Sequence, residues 1–544
     1  MPPWLISAGI LILNLTNYDL FLTAMNFTVG WILETFSWLL NAVSCVVVII
    51  VVVVYFSPFG QVRFGGSKSR PILSYNNFIW IVLCTVMGSG LMLWACAEPM
   101  YHLYLPPANV AAGPLSGEAI LWGMENILLS WTFTPMAIYS LPTILFAFAF
   151  YNMKRPFSIS SMLSPLLSGQ KGGDEILAKA SPAIDSICLF CLCMGMAASL
   201  GAGILLVTSG LEKCSNGFLV SSPALWTICG AAIVAAFIIS ASSGIMKGIR
   251  LLSITNSYFY LVLGLFVFLI GPTTYLLNLC VESFGAYLSD FFKISLWTST
   301  SSGDGWSRQW PTFYWCVWMA WMPVSVAFLG RIAQGFTVRE TLNAVFLIPS
   351  IFSVVWLVIF SGAAIHQEIN GLGVYETMKT GGTAAATYAV LDNLPFSAVT
   401  VPLFLVTAFI SYVTSADSNT NAIAGLCTKG LTAADAESPM ILKVVWGLTI
   451  GALCLIILIA YDIEGVKLLS YLGGLPVVFL MLMFVVCVIR VMRHPSKYDV
   501  YVEDYDDQGR PLASARPLHL ETESRRSKLM TDALAEKGTV AEVK

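Results

Sequence analysis

A dense run of aromatic residues, residues 312 to 323, carries the side chains best suited to binding a cation. It reads Thr-Phe-Tyr-Trp-Cys-Val-Trp-Met-Ala-Trp-Met-Pro. On a helix Tyr314, Trp318 and Trp321 lie at i, i+4 and i+7 and therefore share one face. If that face is turned inward, its rings can bind a cation through their quadrupoles.

A second aromatic pair precedes this run in the chain. Trp131 and Tyr139 are eight residues apart, which places them within about 80° of each other on a helix. Two such helices facing each other would form a cage for a quaternary ammonium group. That group has no hydrogen-bond donor, so ring faces suit it better than a carboxylate does. Tight packing and interfacial aromatic belts are an alternative that periodicity does not exclude.

A glycine-rich break, Met87-Gly88-Ser89-Gly90, could expose backbone N–H groups. These groups bind carboxylates as helix N-termini do. Together, the cage and the break suggest a zwitterion with a trimethylammonium group and an acid group. The alternative for the glycines is close helix packing.

Residues 414 to 418 read Thr-Ser-Ala-Asp-Ser. Hydroxyl and freed carbonyl oxygens suit a small alkali cation, although such hydroxyls also bond back to their own helix. Asp417 is interpreted either as a functional intramembrane acid or as a partner of an arginine near the inner end of its helix.

No set of residues for catalysis is visible, so the chain is not expected to be an enzyme. It has four histidines and lacks the HExxH, GxSxG and phosphate-loop motifs. No basic patch for nucleic acid occurs either.

The elements that must position these residues are membrane-spanning helices. The chain is 57% hydrophobic and only 11% charged, whereas soluble domains carry about 25% charged residues. Apolar runs of roughly 20 residues, the length of a span, recur throughout. We predict an all-α polytopic membrane protein with about twelve spans, centred near residues 10, 45, 90, 135, 195, 232, 267, 322, 353, 403, 452 and 479.

Lysines and arginines occur in alternate connections, and residues 104 to 118 contain none. The positive-inside rule makes the basic connections cytoplasmic. Both termini are then cytoplasmic in the cell (inner) membrane, and residues 493–544 form a partly disordered tail. Cys214 and Cys280 fall near the outer face, and the sequence does not decide whether they form a disulfide.

Two spans are interrupted in sequence, one by Gly88 and Pro99 and one by Pro323. Interrupted helices at corresponding positions of two halves indicate a transporter site. Spans 3 to 7 and 8 to 12 would then be two five-helix repeats. The predicted units are residues 1–60 (two N-terminal spans), 75–281 (first repeat), 282–310 (external connecting helix), 311–492 (second repeat) and 493–544 (tail).

The sequence resembles the betaine/choline/carnitine transporter family over nearly its whole length. The residues that carry the resemblance, in chain order, are Met87-Gly88-Ser89-Gly90, Ala97-Glu98-Pro99, Trp131 to Tyr139, Ala198-Ser199-Leu200-Gly201, Gly271-Pro272-Thr273, Phe313-Tyr314-Trp315 through Arg339-Glu340, and Thr414-Ser415-Ala416-Asp417-Ser418. The resemblance implies a LeuT-type inverted-repeat core behind two extra N-terminal helices, and usually a homotrimer in the lipid membrane.

The resemblance also implies substrate-binding residues, with the substrate between the third, fourth, eighth and tenth spans. The family's aromatic box would contain Trp131, Tyr139 and Trp318. Trp321 and Phe313 would line the inward and outward paths, and Met87, Gly88, Ser89 and Gly90 would bind the acid group.

Two aromatic positions of the family's box are changed. Met136 and Val317 stand where tryptophans are common. Methionine is flexible, so a softer and wider pocket is expected. Besides glycine betaine, the candidate substrates are a bulkier betaine, carnitine, choline or a sulfonium analogue.

The family's second sodium site would use the hydroxyls of Thr414 and Ser415 and the backbone oxygens of Cys84, Met87 and Ser411. Sodium-independent exchangers of the family fill this site with an arginine from the seventh span, but residues 252–281 contain no arginine. Leu192 and Met196 replace the threonines of the first sodium site. We therefore expect zero or one bound sodium.

The expected function is secondary active transport of a quaternary ammonium compound, as sodium symport through one site. Sodium-independent antiport of substrate against its product is the alternative, and a channel or sensor is an alternative of a different class. Charges after Arg490 are balanced, so osmotic activation is not expected.

Overall fold

The computed structural model describes residues 2–86, 89–108, 110, 113–242, 248–428 and 439–512. Within these residues the chain is helical, and the one kind of β-structure is a pair of isolated bridges. The spans, numbered in chain order, are span 1 (Pro2–Thr16), span 2 (Tyr18–Phe56), span 3 (Tyr75–Val86 with Ser89–Tyr104), span 4 (Gly117–Trp131 with Phe133–Ala147), span 5 (Gly173–Cys214), span 6 (Pro223–Ser242), span 7 (Gly248–Ile270), span 8 (Pro311–Ile332), span 9 (Val338–Leu342 with Ile348–Ile369), span 10 (Ser397–Leu426), span 11 (Met440–Tyr461) and span 12 (Ile463–Arg493).

Length and composition make the chain a polytopic membrane protein. Among the described residues, eight helices are long and apolar enough to cross a membrane, and ten if each of two bent pairs counts as one span. The 15-residue helix of span 1 and the 22-residue helix of span 8 complete the predicted set. The all-α fold class predicted from the sequence is confirmed.

The packing of the spans has an internal symmetry. Span 5 packs against spans 6, 11 and 12, and span 10 packs in the same way against spans 11, 6 and 7. Likewise, span 8 contacts spans 4 and 12, and span 3 contacts the corresponding spans 9 and 7. Each contact has a counterpart when spans 3 to 7 are exchanged with spans 8 to 12. This correspondence is the packing pattern expected of two five-helix repeats.

The interruptions differ from those expected. Span 3 consists of two helices, with residues 87 and 88 between them outside the described residues. Span 8 is one continuous helix with Pro323 inside it, so the expected interruption there is absent. A single proline removes only one backbone donor, and the hydrogen bonds on both sides can keep the helix intact. Span 4 breaks instead, at Thr132, whose φ and ψ are −113° and −111°.

A helix lies between the two repeats. It extends over Thr273–Leu296 and makes an angle of 106° with the end of span 7. The external connecting helix was expected at residues 282–310, so the observed helix begins earlier in the chain. Its outer face is apolar, with Val281 at 78% and Phe292 at 58% exposure.

Loops and the C-terminal segment close one end of the bundle. Val338 N donates to Val62 O at 2.9 Å, which joins the loop after span 2 to the start of span 9. Asn152, after span 4, donates to Asp499 Oδ2 at 2.7 Å. We call this end the basic end because it carries Arg63, Lys154, Arg155, Arg331, Arg339 and Arg490.

The C-terminal segment is folded further than expected. Residues 495–512 form two short 3-10 turns and an isolated bridge between Tyr505 and Pro511. Asp499 is buried and accepts a hydrogen bond from Tyr505 OH at 2.7 Å. Burial raises the pKa of the Asp499 carboxyl. The partly disordered tail was predicted at residues 493–544, and its part from 513 to 544 lies outside the described residues.

The cysteines form no disulfide. All 13 are free, so Cys214 and Cys280 are not paired. Cys188, Cys191 and Cys193 are fully buried in span 5, which fits the packing role of small apolar residues.

Candidate functional site

Three aromatic rings from two spans meet at the centre of the bundle. Trp318 of span 8 lies edge-to-face with Trp131, at 5.0 Å between ring centroids, and with Tyr139, at 5.7 Å. All three side chains are at most 5% exposed. We call Trp131, Tyr139 and Trp318 the cage.

The break in span 4 helps to fix the cage. Trp131 is the last residue before the break and Tyr139 lies two turns beyond it. The Trp318 indole N–H donates to the carbonyl oxygen of Ser130 at 2.8 Å. This hydrogen bond holds the ring of span 8 against the end of the first helix of span 4, so the ring faces are oriented before any ligand arrives.

The cage borders a cavity of about 60 Å³. Its residues come from spans 3, 4, 5, 8 and 12: Thr85, Val86, Gly90, Leu91, Trp94, Trp131, Tyr139, Ala198, Ser199, Ala202, Phe313, Tyr314, Val317, Trp318, Trp321, Val466 and Ser470. Span 10 was expected to contribute to the substrate site, but these lining residues include none from span 10 and several from spans 5 and 12. Small residues of span 5 let the helix approach the cavity closely.

Most of the substrate-binding residues predicted from the sequence meet at this cavity. Trp131, Tyr139, Gly90, Phe313 and Trp321 line it together with Trp318. Met136 is 1% exposed and is not among the lining residues. Met87 and Gly88, and the side chain of Ser89, lie outside the described residues. Whether these residues bind a substrate stays a prediction.

Of the two positions that depart from the family's aromatic pattern, only one reaches the cavity. Val317 lines it, whereas Met136 packs in the core. The change in pocket shape expected from the sequence would therefore come from Val317.

Two glycines allow the tryptophans to approach neighbouring backbones. A Cβ on Gly90 would lie 3.0 Å from Cη2 of Trp131. A Cβ on Gly195 would lie 2.9 Å from Cδ1 of Trp321, whose N–H donates to Gly195 O at 3.0 Å. Gly90 also places the start of the Ser89–Tyr104 helix at the cavity. The partial positive charge of a helix N-terminus favours a carboxylate there.

More aromatic rings continue from the cage along span 8. Phe313 lies 4.9 Å from Tyr314, and Trp94 of span 3 lies 6.0 Å from Phe313, between ring centroids. The Lys467 ammonium lies 5.5 Å from the Trp310 centroid. These rings extend the aromatic wall of the cavity beyond the cage.

A buried carboxylate behind the cage was missed by sequence reasoning. Glu98 is 0% exposed and accepts hydrogen bonds from Trp131 Nε1 at 3.0 Å and from Tyr314 OH. On its other oxygen it contacts His102 Nε2 at 3.2 Å. The sequence did contain a signal for this carboxylate, namely an acidic residue inside an apolar span, because charged residues within the membrane usually have a function.

The predicted sodium residues lie where spans 3, 7 and 10 meet. Ser415 Oγ donates to Thr85 O at 3.4 Å, and Cys84 Sγ lies 3.4 Å from Ser257 Oγ. Thr414 Oγ1 donates back to Ile410 O at 2.9 Å. Met87, one of the predicted ligands, lies outside the described residues.

The donor set at this junction fits a sodium ion. Asn256 of span 7 donates to Ser411 Oγ at 2.9 Å, and Tyr260 OH lies 3.0 Å from the same oxygen. Asn256 Oδ1 is buried and has no hydrogen-bond partner among the described residues. Hard, neutral oxygens from several helices are the ligands that suit an alkali cation. Leu192 and Met196, at the positions of the family's first sodium site, have buried apolar side chains.

Asp417 is fully buried in span 10. It accepts hydrogen bonds from Ser240 Oγ and, at 2.7 Å, from Asn421 Nδ2. Its charge also interacts with that of Lys443, a buried residue of span 11. Hydroxyl and amide groups hold this acid, where an arginine was the partner considered from the sequence.

Known proteins resemble this chain over most of its length. It is 28% identical over 466 residues to the ectoine/hydroxyectoine transporter of Virgibacillus pantothenticus, covering 85% of this chain and 89% of that one. It is 29% identical to the osmo-dependent choline transporter BetT2 of Acinetobacter baylyi, covering 93% and 72%. It is 32% identical to the ectoine/glycine betaine/proline transporter EctP of Corynebacterium glutamicum, covering 82% and 71%.

The family assignment rests on nearly the whole membrane domain. A sequence profile described as BCCT, betaine/carnitine/choline family transporter, matches residues 1–497. This range contains every span, the cage and the junction of spans 3, 7 and 10. The chain is therefore a transporter and not an enzyme, and it belongs to the betaine/carnitine/choline transporter family.

Proposed function

We propose that this chain is a secondary active transporter that takes up a small trimethylammonium compound together with one sodium ion. The observation that carries the proposal is the cage, in which the ring centroids of Trp131 and Tyr139 lie 5.0 and 5.7 Å from that of Trp318. Relatives named for choline and glycine betaine support the substrate class.

In this proposal each part of the cavity recognises one part of the substrate. Ring faces of the cage attract the methylated cation, and the N-terminus of the Ser89–Tyr104 helix attracts a carboxylate. The Trp318–Ser130 hydrogen bond orients the indole. Alternate access follows when the two repeats rock against each other around the site.

Ectoine is a second candidate substrate, because two of the relatives are named for it. It is also a zwitterion, but its cation is a ring amidinium. The small side chain of Val317 at the cavity leaves more room for a ring than a tryptophan would.

The sodium site would use Thr414, Ser415, Ser411, Cys84 and Met87, as the family pattern implies. When bound, the ion would supply positive charge that holds spans 3 and 10 together. Sodium-independent antiport is the competing mechanism. It is less favoured because Asn256 of span 7 donates to Ser411, and residues 252–281 contain no arginine.

Uptake into proteoliposomes tests both parts of this proposal. Labelled glycine betaine, choline and ectoine are offered with sodium or with potassium outside. We expect uptake of a trimethylammonium compound that needs sodium. The double change Thr414→Ala with Ser415→Ala should raise the sodium concentration for half-maximal uptake, whereas Thr428→Ala, two residues after the end of span 10, should not.

Two results would contradict the mechanism. Wild-type uptake that ignores sodium and is accelerated by internal substrate would establish antiport. Conductance without counterflow would establish a channel.

We further propose that the protein lies in the cell (inner) membrane with both termini in the cytoplasm and assembles as a homotrimer. The basic end would then face the cytoplasm, as the positive-inside rule requires. The apolar outer face of the Thr273–Leu296 helix, with Val281 and Phe292 exposed, is suited to a subunit contact. The mass of the protein extracted in lipid nanodiscs would test the trimer.

A further inference from the structure

Glu98 is an acid without an assigned role at the centre of the membrane domain. Its side chain is 0% exposed, and Trp131 Nε1 and Tyr314 OH both donate to one of its oxygens. Trp131 belongs to the cage, and Tyr314 also lines the cavity. The carboxylate therefore lies one layer behind the rings that face the ligand.

We propose that Glu98 is the anionic counter-charge of the cage, and that the Glu98–His102 pair gives up a proton when a cation binds. This inference rests on the proposed function, since it concerns the same cavity. A hydrogen bond from an indole N–H or a phenol O–H to a carboxylate pushes electron density into the ring. The ring face then attracts a cation more strongly. The carboxylate itself adds a direct attraction, because charges are weakly screened in a buried site.

His102 makes the charge of this site adjustable. Its Nε2 lies 3.2 Å from Glu98 Oε1, and both side chains are 0% exposed. Its Nδ1 is buried without a hydrogen-bond partner among the described residues. A neutral His102 ring always carries one N–H. When the Glu98–His102 pair holds one further proton, the net charge of the pair is zero. Loss of that proton leaves a charge of −1, and a second proton gives +1.

Other ionisable groups near this half of span 3 are engaged elsewhere. Glu368 of span 9 accepts from Tyr104 OH at 2.6 Å, and Lys467 of span 12 pairs with Glu464 at 3.0 Å. Lys213 of span 5 pairs with Asp392 at 2.5 Å. The remaining acidic, basic and histidine groups on the packed elements are Glu118, Glu125, Asp174, Glu175, Lys179, Asp185, Glu212, Arg308, Arg331, His366, Glu376, Lys379 and Asp417. Among the described contacts, the ionisable partners of Glu98 are His102 and Tyr314.

The direction of the pH effect follows from these charges. A cation in the cage favours the form of the pair with fewer protons, so binding releases a proton. By linkage, acidification adds the proton back and weakens the binding of a cation. A zwitterion brings its own carboxylate, so its affinity should depend less on pH.

The test compares a plain cation with a zwitterion on the purified full chain. Tetramethylammonium and glycine betaine are titrated by calorimetry between about pH 5.5 and 8.5. For the wild type we expect the affinity for tetramethylammonium to fall as the pH is lowered, and that for glycine betaine to fall less. Glu98→Gln keeps an acceptor for Trp131 and Tyr314 but removes the charge. It should weaken tetramethylammonium binding about tenfold at high pH and flatten its pH profile.

Tyr314→Phe is the matched control, because it removes one hydrogen bond to Glu98 but leaves the charge. It should keep the pH dependence. If Glu98→Gln does not fold, His102→Gln serves instead and should displace the pH profile while keeping the affinity at high pH.

Three outcomes would overturn the proposal. Wild-type affinity that does not change with pH would do so, as would Glu98→Gln with the wild-type affinity and profile, or His102→Gln with an undisplaced profile. A wild type that binds neither probe would instead overturn the substrate class, and this inference with it.

Discussion

Trp318 connects the parts of the site that a transporter must keep aligned. Its ring contacts Trp131 on one side of the span 4 break and Tyr139 on the other. Its N–H donates to Ser130, so the ring cannot rotate freely. A change at this position alters the cage, the orientation of span 8 and the span 4 break together.

Trp318→Ala should lower substrate affinity roughly thirtyfold, since loss of a cation–π contact in a dry site costs about 2 kcal/mol. Calorimetric titration of the purified protein measures this, and it does not depend on the lost fluorophore. Trp318→Phe should retain part of the affinity because a ring face remains. Trp38→Ala is the matched control, because that indole is 59% exposed on span 2. Full affinity in Trp318→Ala would show that the cage is not the binding site.

The sequence predicted the rings of the cage but not their support. Helical periodicity places Trp318 and Trp321 on one face, and their type suggests a cation. Periodicity within one helix says nothing about partners on other helices. Thus the hydrogen bonds from Trp131 and Tyr314 to Glu98 could not be read from spacing, and neither could the exclusion of Met136 from the cavity.

Among the helices, span 12 packs closely against the two spans that flank it near the cage. Its Gly473 and Gly474 lie against spans 5 and 8. A Cβ on Gly474 would lie 2.3 Å from Cα of Cys316, and one on Gly473 would lie 2.9 Å from Cys191 O. Because these neighbours are backbone atoms, no side-chain rotation can make room. Small residues allow such close helix packing in membranes.

Gly474→Ala should destabilise the protein by about 1 to 3 kcal/mol, the usual cost of overpacking. Cys316 is two residues before Trp318, so substrate affinity should fall too. Thermal unfolding in detergent and calorimetric titration measure the two effects. Gly285→Ala on the connecting helix is the control, since nothing lies within 4 Å of its added Cβ. If Gly474→Ala and the wild type unfolded at the same temperature, spans 8 and 12 would not be packed as closely as these distances indicate.

Elements were easier to predict than their interruptions. Long apolar runs define the spans because a helix is the economical way to satisfy backbone groups in lipid. The break of span 4 at Thr132 was missed because the residues that follow, Phe133 to Ala147, continue the apolar pattern. The expected break at Pro323 is absent because the flanking hydrogen bonds preserve the helix.

At the scale of the whole molecule, the proposed orientation makes a prediction for the cysteines at opposite ends of the bundle. Span 5 ends at Cys214, an exposed residue at the end opposite to the basic one. Span 10 ends just before Cys427, which is partly exposed. In the proposed orientation, with both termini in the cytoplasm, Cys214 would be outside and Cys427 would be inside.

A membrane-impermeant maleimide applied to intact cells should therefore label Cys214, and Cys214→Ser should remove most of the label. Cys427 should react only after permeabilisation, which makes Cys427→Ser the matched control. Mass spectrometry of the labelled protein identifies the sites. Labelling of Cys427 in intact cells, with none at Cys214, would reverse the orientation.

The junction at the basic end also has a consequence for biogenesis. Asn152, which follows span 4, finds its partner Asp499 only in the segment after span 12. Because synthesis proceeds from the N-terminus, this partner leaves the ribosome after all twelve spans. Until then Asn152 and the loop after span 2 lack part of their final contacts. The junction therefore cannot close before the twelfth span has been synthesised, so its contacts are among the last that the chain can form.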